Sequence, residues 1–246
     1  MIKHTTTGII VILFLLTATT QAQKYEAGVF GGTSYYLGDL NPNPDRQFAN
    51  AEFPAYGLFG RMNFTEHLSA RLGIHRGTIS GTDADSPYEI LGPNTTYHFE
   101  TDITELALQG EVNFLPYTAG DVESLFTPYL FGGISGFLFS PTAKVDNGTN
   151  VNPISGNTHW DPDEIANNIP NEYSPFDISY LFGFGLKYHI TKHINGGFEW
   201  GLRHTYSKYL DEVHLKGNPK KNDWYSFAGI SFTFRFKDKS CAVCPY

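Results

Sequence analysis

The sequence predicts an all-β chain, an eight-stranded antiparallel transmembrane β-barrel of the outer-membrane type behind a cleaved N-terminal signal peptide. Three observations carry this. Segments of alternating apolar and polar residues recur along the chain, and the connections between them run long, short, long, short. After the first residues no stretch approaches the ~20 apolar residues that a spanning helix needs. The last segment, Tyr225 to Phe236, is the clearest. Ala228, Ile230, Phe232, Phe234 and Phe236 form one face, and Gly229, Ser231, Thr233 and Arg235 the other. A row of phenylalanines opposite an arginine suits a wall with lipid outside and a polar lumen inside.

Composition agrees. Only 17% of residues are charged, 15% are aromatic, and there are 25 glycines against two methionines, a profile of Gly- and aromatic-rich β proteins. The slightly polar mean hydropathy excludes a helical membrane bundle but not a barrel, because alternating strands average out. The formal charge of −8 without a basic stripe argues against nucleic acid as a partner.

In chain order, residues 1–22 read as the signal peptide. Lys3 and His4 precede the apolar run Gly8–Leu16, and cleavage is expected between Ala22 and Gln23. Residues 23–236 form the barrel and 237–246 a periplasmic tail. The first strand, Tyr25–Leu37, sets Ala27, Val29, Tyr35 and Leu37 against Glu26, Gly28, Gly32 and Ser34. The second and third, Ala55–Phe64 and Leu68–Ile79, are separated only by Thr65, Glu66 and His67. The fourth, His98–Leu115, points Thr104, Leu106, Leu108, Val112 and Phe114 one way and Glu105, Gln109, Glu111 and Asn113 the other. A turn near Gly120 leads to the fifth, Phe126–Phe139, and the longest loop is expected over Ser140–Ser174. The sixth, Pro175–His189, displays Ile178, Tyr180, Phe182, Phe184, Leu186 and Tyr188 on one face. Thr191, Lys192 and His193 turn it into the seventh, Ile194–Tyr206, and Ser207–Asn222 leads to the eighth. An even strand number puts both termini in the periplasm, with long loops outside the cell. A soluble lipocalin-like barrel is the competing fold; it would bury the aromatic rows and expose the charges.

With lipid outside, the inward set includes Glu26, Arg61, Arg71, Glu105, Glu111, Lys187, Glu199, Arg203 and Arg235. An eight-stranded barrel is just wide enough to be filled by side chains. Both signs are present, and an unpaired buried charge costs several kcal/mol. A lumen plugged by paired charges is therefore expected, without a conducting pore. The small residues Gly28, Gly32, Gly73, Gly183 and Gly185 are expected to make room for the long side chains.

Catalytic and metal patterns are thin, and neither an enzyme, a cofactor nor a metal site is expected. His67-x-Ser69 resembles the His and Ser of an outer-membrane lipid A deacylase, but it lies at a periplasmic turn with no acid placed to orient His67. His189 and His193 flank a turn instead of sharing a helix face, so they read as interfacial histidines. Asp161, Asp163 and Glu164 lack the remaining ligands of a calcium loop. Cys241 and Cys244 are the only cysteines. In an oxidising compartment they are expected to form either a small disulfide ring or a bond to a periplasmic partner.

Several blocks resemble one family. They are Ser34-Tyr-Tyr-Leu-Gly-Asp-Leu-Asn41, Glu111-Val-Asn-Phe-Leu-Pro-Tyr117, Pro128-Tyr-Leu-Phe-Gly-Gly-Ile134, and Gly201 to Val213, with the Cys241-x-x-Cys244-Pro245 tail. Together these are similar to the PorG family of the type IX secretion system over nearly the whole mature chain, with a departure at His204–Lys208. The resemblance implies a non-enzymatic outer-membrane subunit that docks a periplasmic ring of a PorK-like lipoprotein and PorN-like subunits. The other reading is a small adhesin or ligand-binding barrel acting through its outer loops, motivated by Trp160 and Tyr173 in the longest loop.

Overall fold

The computed structural model describes residues 24–38, 40, 51–85, 96–117, 125–146, 151–155, 158–159, 171–172, 174–191, 193–207, 210 and 222–236. Eight long strands form the wall. They are β1 (Lys24–Leu37), β2 (Glu52–Asn63), β3 (Leu68–Thr82), β4 (Thr96–Asn113), β5 (Phe126–Asp146), β9 (Phe176–His189), β10 (Ile194–Thr205) and β11 (Trp224–Arg235). Between β5 and β9 lie three short ones, β6 (Val151–Ser155), β7 (Thr158–His159) and β8 (Asn171–Glu172). Neighbours in sequence pair antiparallel around the wall, β1 pairs β11, and the β4–β5 and β5–β9 pairings complete the circuit. Closure gives the backbone groups at bilayer depth partners within the wall, which lipid cannot supply.

Two tight turns share one chemistry. Thr65 Oγ1 accepts from the His67 and Leu68 amides at 3.2 and 3.0 Å, and Thr191 Oγ1 accepts from His193 and Ile194 at 3.3 and 3.0 Å. A threonine hydroxyl thus satisfies the donors that a reversing chain leaves open. The wall is tight where inward glycines face each other. A Cβ on Gly32 would collide with the Ala228 carbonyl, and one on Gly229 with that of Gly31. Gly32 and Gly229 are register partners, so two backbones approach where any side chain would separate them.

Outside, the wall is an apolar belt. Leu58, Leu72, Ile74, Leu106, Leu108, Ile134, Phe182, Phe184, Phe198 and Ile230 are each about half exposed. A continuous apolar ring of this extent marks a lipid contact. Tyr25, Phe64, Phe114, Phe126, Tyr188 and Phe236 edge it at one end, and Tyr56, Phe176, Tyr180 and Tyr206 at the other. The twelve residues of β11 rise about 30 Å at the tilt usual for such strands, enough for the ~25 Å apolar band of this class.

The alternation then inverts. On β4, Leu106, Leu108 and Val112 point out while Glu105, Gln109 and Glu111 are buried inside. Further along the same strand His98, Glu100 and Asp102 point out, and Tyr97, Phe99 and Ile103 are buried. On β3 the same exchange separates Leu72 and Ile74 from Arg76 on the outer face, and Arg71 and His75 from Ile79 on the inner. A face that keeps its direction but changes from apolar to charged has passed from lipid into water. The surface of the bilayer therefore lies near Arg76 and Thr104.

This explains where the strand ends differ from those read in the sequence. β5 does not stop at Phe139. It continues to Asp146 beside β4, and β6 pairs with its last residues, so part of the Ser140–Ser174 loop is sheet standing clear of the bilayer. β3 and β4 likewise extend into what was read as loop, to Thr82 and from Thr96. Of the connection between β4 and β5, residues 114–117 and 125 are described, and the Tyr117 amide donates to the Glu66 carbonyl at 2.9 Å. Tyr35 has the parity of the lipid face yet is fully buried, with the Trp200 indole donating to its hydroxyl across β11. Ser226 and Ala228, the small outward residues of β11 in register with Tyr35 and Thr33, leave room for that contact.

The inversion predicts a labelling boundary. In a background with Cys241→Ser and Cys244→Ser, single cysteines at Glu100 and His98 should react with a membrane-impermeant maleimide. Cysteines at Leu106 and Leu108 should not, until detergent replaces the bilayer. Equal reactivity at all four positions would refute the boundary.

Candidate functional site

Among the described residues the charged side chains converge in the barrel interior. It is built in three tiers from the inward faces of the eight wall strands. At the floor, Glu26 accepts from Arg61 Nη1 at 2.9 Å, Asn63 Nδ2 at 3.2 Å, and Arg235 Nε and Nη2 at 3.3 Å each. Arg61 Nε lies 2.9 Å from Glu111 Oε2, which also accepts from Lys187 Nζ at 2.6 Å. A second Lys187 proton goes to Asn113 Oδ1 at 2.8 Å. Tyr117 reaches into this tier from the turn after β4. Its hydroxyl donates to Glu26 at 3.0 Å and accepts from Asn195 at 2.9 Å, and its ring stacks on His189 at 5.0 Å.

In the middle tier Arg71 grips Glu199 with both terminal nitrogens, at 2.5 and 3.0 Å, under a hydrogen bond from the Tyr129 hydroxyl at 3.0 Å. The guanidinium lies 3.6 Å from the centre of the Phe59 ring. Its Nη2 is 3.3 Å from His75 Nε2, and His75 Nδ1 is 3.3 Å from Glu105 Oε1. Glu105 also receives Arg203, at 2.8 and 3.2 Å, and the Tyr225 hydroxyl at 2.8 Å. All nine charged residues read from the sequence face this lumen and are buried. The two bidentate Arg–Glu pairs are the strongest geometry available to such ions.

Above Glu105 the filling becomes aromatic. Phe30, Tyr36, Phe99, Ile103, Phe137, Phe139, Tyr225 and Phe227 pack as one cluster. Leu40 and Leu210, which lie outside the strands, are fully buried in it. Asp223 fastens the edge. It accepts from the Tyr36 hydroxyl at 2.8 Å and the Leu210 amide at 3.3 Å, while Thr101 Oγ1 donates to the Leu210 carbonyl at 2.6 Å. The lumen is closed from above by rings and from below by Tyr117.

Sequence reading missed His75, Tyr117, Tyr129, Tyr225 and Asp223. Parity alone would have turned His75, Tyr129 and Tyr225 inward, since each shares a face with a charged or small residue. No local signal marks Tyr117 or Asp223, which lie outside the strands. The inward glycines make room chiefly for rings. A Cβ on Gly28 would strike Phe59, one on Gly183 Phe131, and one on Gly185 Tyr129.

The weaker constellations come apart. His67 Nδ1 bonds the Asn113 carbonyl at 3.0 Å, and Ser69 Oγ donates to Asn63 at 2.7 Å, so the two form no catalytic pair. His193 lies on the lipid face stacked on Phe234, but His189 is buried in the floor beside Asn195, which corrects the reading of both as interfacial. Among the described residues no three His, Cys, Asp or Glu are placed to share a metal ion. Ala22, Gln23, Asp161, Asp163, Glu164, Cys241 and Cys244 lie outside the described residues.

A closed antiparallel wall with an apolar outer belt and a filled, charge-paired lumen defines an eight-stranded barrel of the outer-membrane type. The chain belongs to the family described as Domain of unknown function (DUF6089), whose model matches residues 5–246. No curated protein matches it. In fold it is similar to a major outer membrane protein from Thermus thermophilus, with a TM-score of 0.51 and 14% identity over 88% of this chain and 100% of that one. It is also similar to Ail, the attachment invasion locus protein of Yersinia pestis (TM-score 0.45, 10% identity, 88% and 100% covered). A third is the N-terminal β-barrel domain of OprF from Pseudomonas aeruginosa (TM-score 0.40, 12% identity, 87% and 100% covered). These likenesses speak to the fold alone.

Removing one partner of a buried pair leaves the other charge stranded, whereas replacing both by apolar groups does not. Glu105→Ala strands Arg203 and Tyr225, and is expected to lower stability by about 3–5 kcal/mol, read from urea unfolding in lipid vesicles. Arg71→Met combined with Glu199→Leu should cost far less than Glu199→Ala alone. If the double change costs as much as the single one, the pair stabilises by more than mutual neutralisation.

Proposed function

We propose that this chain is a non-enzymatic, non-conducting outer-membrane anchor that acts through its two ends, with both termini in the periplasm. The observation that carries the reading is the filled lumen. Side chains occupy it from Tyr117 to the aromatic tier, so function falls to the surfaces the barrel presents on either side of the membrane. The similarity of the Ser34–Asn41, Glu111–Tyr117 and Gly201–Val213 blocks and the cysteine tail to the PorG family supports reading the anchor as a subunit of a type IX protein secretion machine. In this role the periplasmic turns and residues 237–246 dock a ring built from a PorK-like lipoprotein and PorN-like subunits. Cys241 or Cys244 supplies a covalent tether.

A second reading has its own observation. β3, β4 and β5 continue past the bilayer surface, β6 adds to them, and Arg76, Glu100 and Asp102 are exposed on the outer face of β3 and β4. Such a sheet suits a small adhesin or ligand-binding barrel that works through its extracellular side.

Two measurements separate the possibilities. The purified barrel in a planar bilayer should give no single-channel steps; stable conductance would overturn the anchor reading. A non-reducing gel of the native outer membrane, with mass spectrometry of any shifted band, tests the tether. A reducible adduct with one periplasmic lipoprotein, lost in either Cys241→Ser or Cys244→Ser, is the expected result. A monomer with Cys241 joined to Cys244 would shift the assignment to the extracellular sheet.

A further inference from the structure

Among the described residues the lumen holds more positive than negative charge, and the surplus is localised. Between the Tyr117 floor and the aromatic tier the described side chains include the cations Arg61, Arg71, Lys187, Arg203 and Arg235 and the carboxylates Glu26, Glu105, Glu111 and Glu199. The middle tier balances, with Arg71 on Glu199 and Arg203 on Glu105. At the floor Arg61, Lys187 and Arg235 share only Glu26 and Glu111.

Besides Arg61 Nε, which is met by Glu111 at 2.9 Å as an ion pair, two buried donors of this tier find no acceptor among the described residues. They are Arg235 Nη1 and the hydroxyl of Thr127, whose register partner is Lys187. Arg235 Nε and Nη2 reach Glu26, but a buried guanidinium proton without an acceptor leaves part of the group's desolvation cost uncompensated. The Tyr117 ring faces both Lys187 Nζ, at 4.7 Å, and the Arg235 guanidinium, at 5.4 Å. A π face attracts cations but offers no lone pair to Nη1. Glu111 Oε1 also lacks a donor among the described residues, so any further negative charge belongs on the Arg235 side of the floor and away from that oxygen.

We propose that the floor of the lumen holds one small monovalent anion of halide size, bound against Arg235 Nη1. Its charge follows from the imbalance, since one negative ion neutralises three cations on two carboxylates and a dianion overshoots. Its kind follows from enclosure, because Arg235, Thr127, Tyr117 and Lys187 are all less than one-tenth exposed, which favours a small, weakly hydrated ion over a phosphate or a carboxylate ligand that would have to shed a larger hydration shell. The ion is a structural component of the filled barrel, and the assignment does not depend on the secretion reading.

The test uses the full mature barrel. Crystals grown in bromide should show an anomalous peak within hydrogen-bond distance of Arg235 Nη1. In vesicles, the urea midpoint should rise saturably with chloride or bromide when gluconate holds the ionic strength constant. Arg235→Met leaves two cations on two carboxylates, so it should still fold and lose both signals. Arg235→Lys keeps the charge without the fork and should weaken the response. The wild-type crystal and titration stand alone if a variant fails to fold. No bromide peak in the floor together with a halide-independent midpoint overturns the proposal and leaves the surplus charge to the Tyr117 ring. A halide response that survives in Arg235→Met overturns it as well, by placing the ion elsewhere.

Discussion

A β-strand has two faces, and in this barrel each face meets a different medium at a different height. At bilayer depth the outer face touches lipid and the inner face encloses an interior too narrow for bulk water. Beyond the bilayer the outer face meets water, and the inner face packs around Leu40 and Leu210, which lie outside the strands. β4 records both conditions in one strand, with Leu108 and Leu106 giving way to Asp102 and Glu100 outside, and Glu105 to Ile103 and Phe99 inside. The closed hydrogen-bonded wall makes this possible, because with backbone groups paired the side chains are free to follow the medium alone.

Confinement then decides how the lumen is filled. Charges cannot be left to solvent there, so carboxylates serve several donors and arginines are held at both ends of the fork. Glu26 collects Arg61, Asn63, Tyr117 and Arg235, and Glu105 collects Arg203, His75 and Tyr225. Rings do the rest of the work. Phe59 lies beneath Arg71, Phe227 beneath Arg203, and Tyr117 and Tyr129 flank Lys187. Each contact places a π face against a cation that has already used its carboxylate.

The seal has consequences for what the protein can do. A solute would have to displace Tyr117, dissolve several ion pairs and part the aromatic tier that holds Leu40 and Leu210. That barrier directs attention to the ends. One end carries the twin threonine turns and the chain terminus beyond Phe236. The other carries the extended sheet of β3 to β6, and Asp223 links the β1 end, the start of β11 and Leu210 into one rigid rim. A barrel of this design presents surfaces on both sides of a membrane, which the proposed anchor role would use.

Alternation by twos is a local property, so the amino-acid sequence alone determined that the chain is a barrel, which residues at bilayer depth face lipid with Tyr35 excepted, and that Glu26, Arg61, Arg71, Glu105, Glu111, Lys187, Glu199, Arg203 and Arg235 face inward. It could not choose partners among them. Arg71 and Glu199 lie on β3 and β10, far apart in the chain, and meet only because closure sets them across the same narrow space at one height. The tertiary structure alone also decided the return of Tyr117 into the floor, the insertion of Leu40 and Leu210, and the burial of Tyr35 over the small outward residues of β11. Each of these depends on the shape of a cavity or groove that exists only once the wall has closed, and no window of sequence contains that shape.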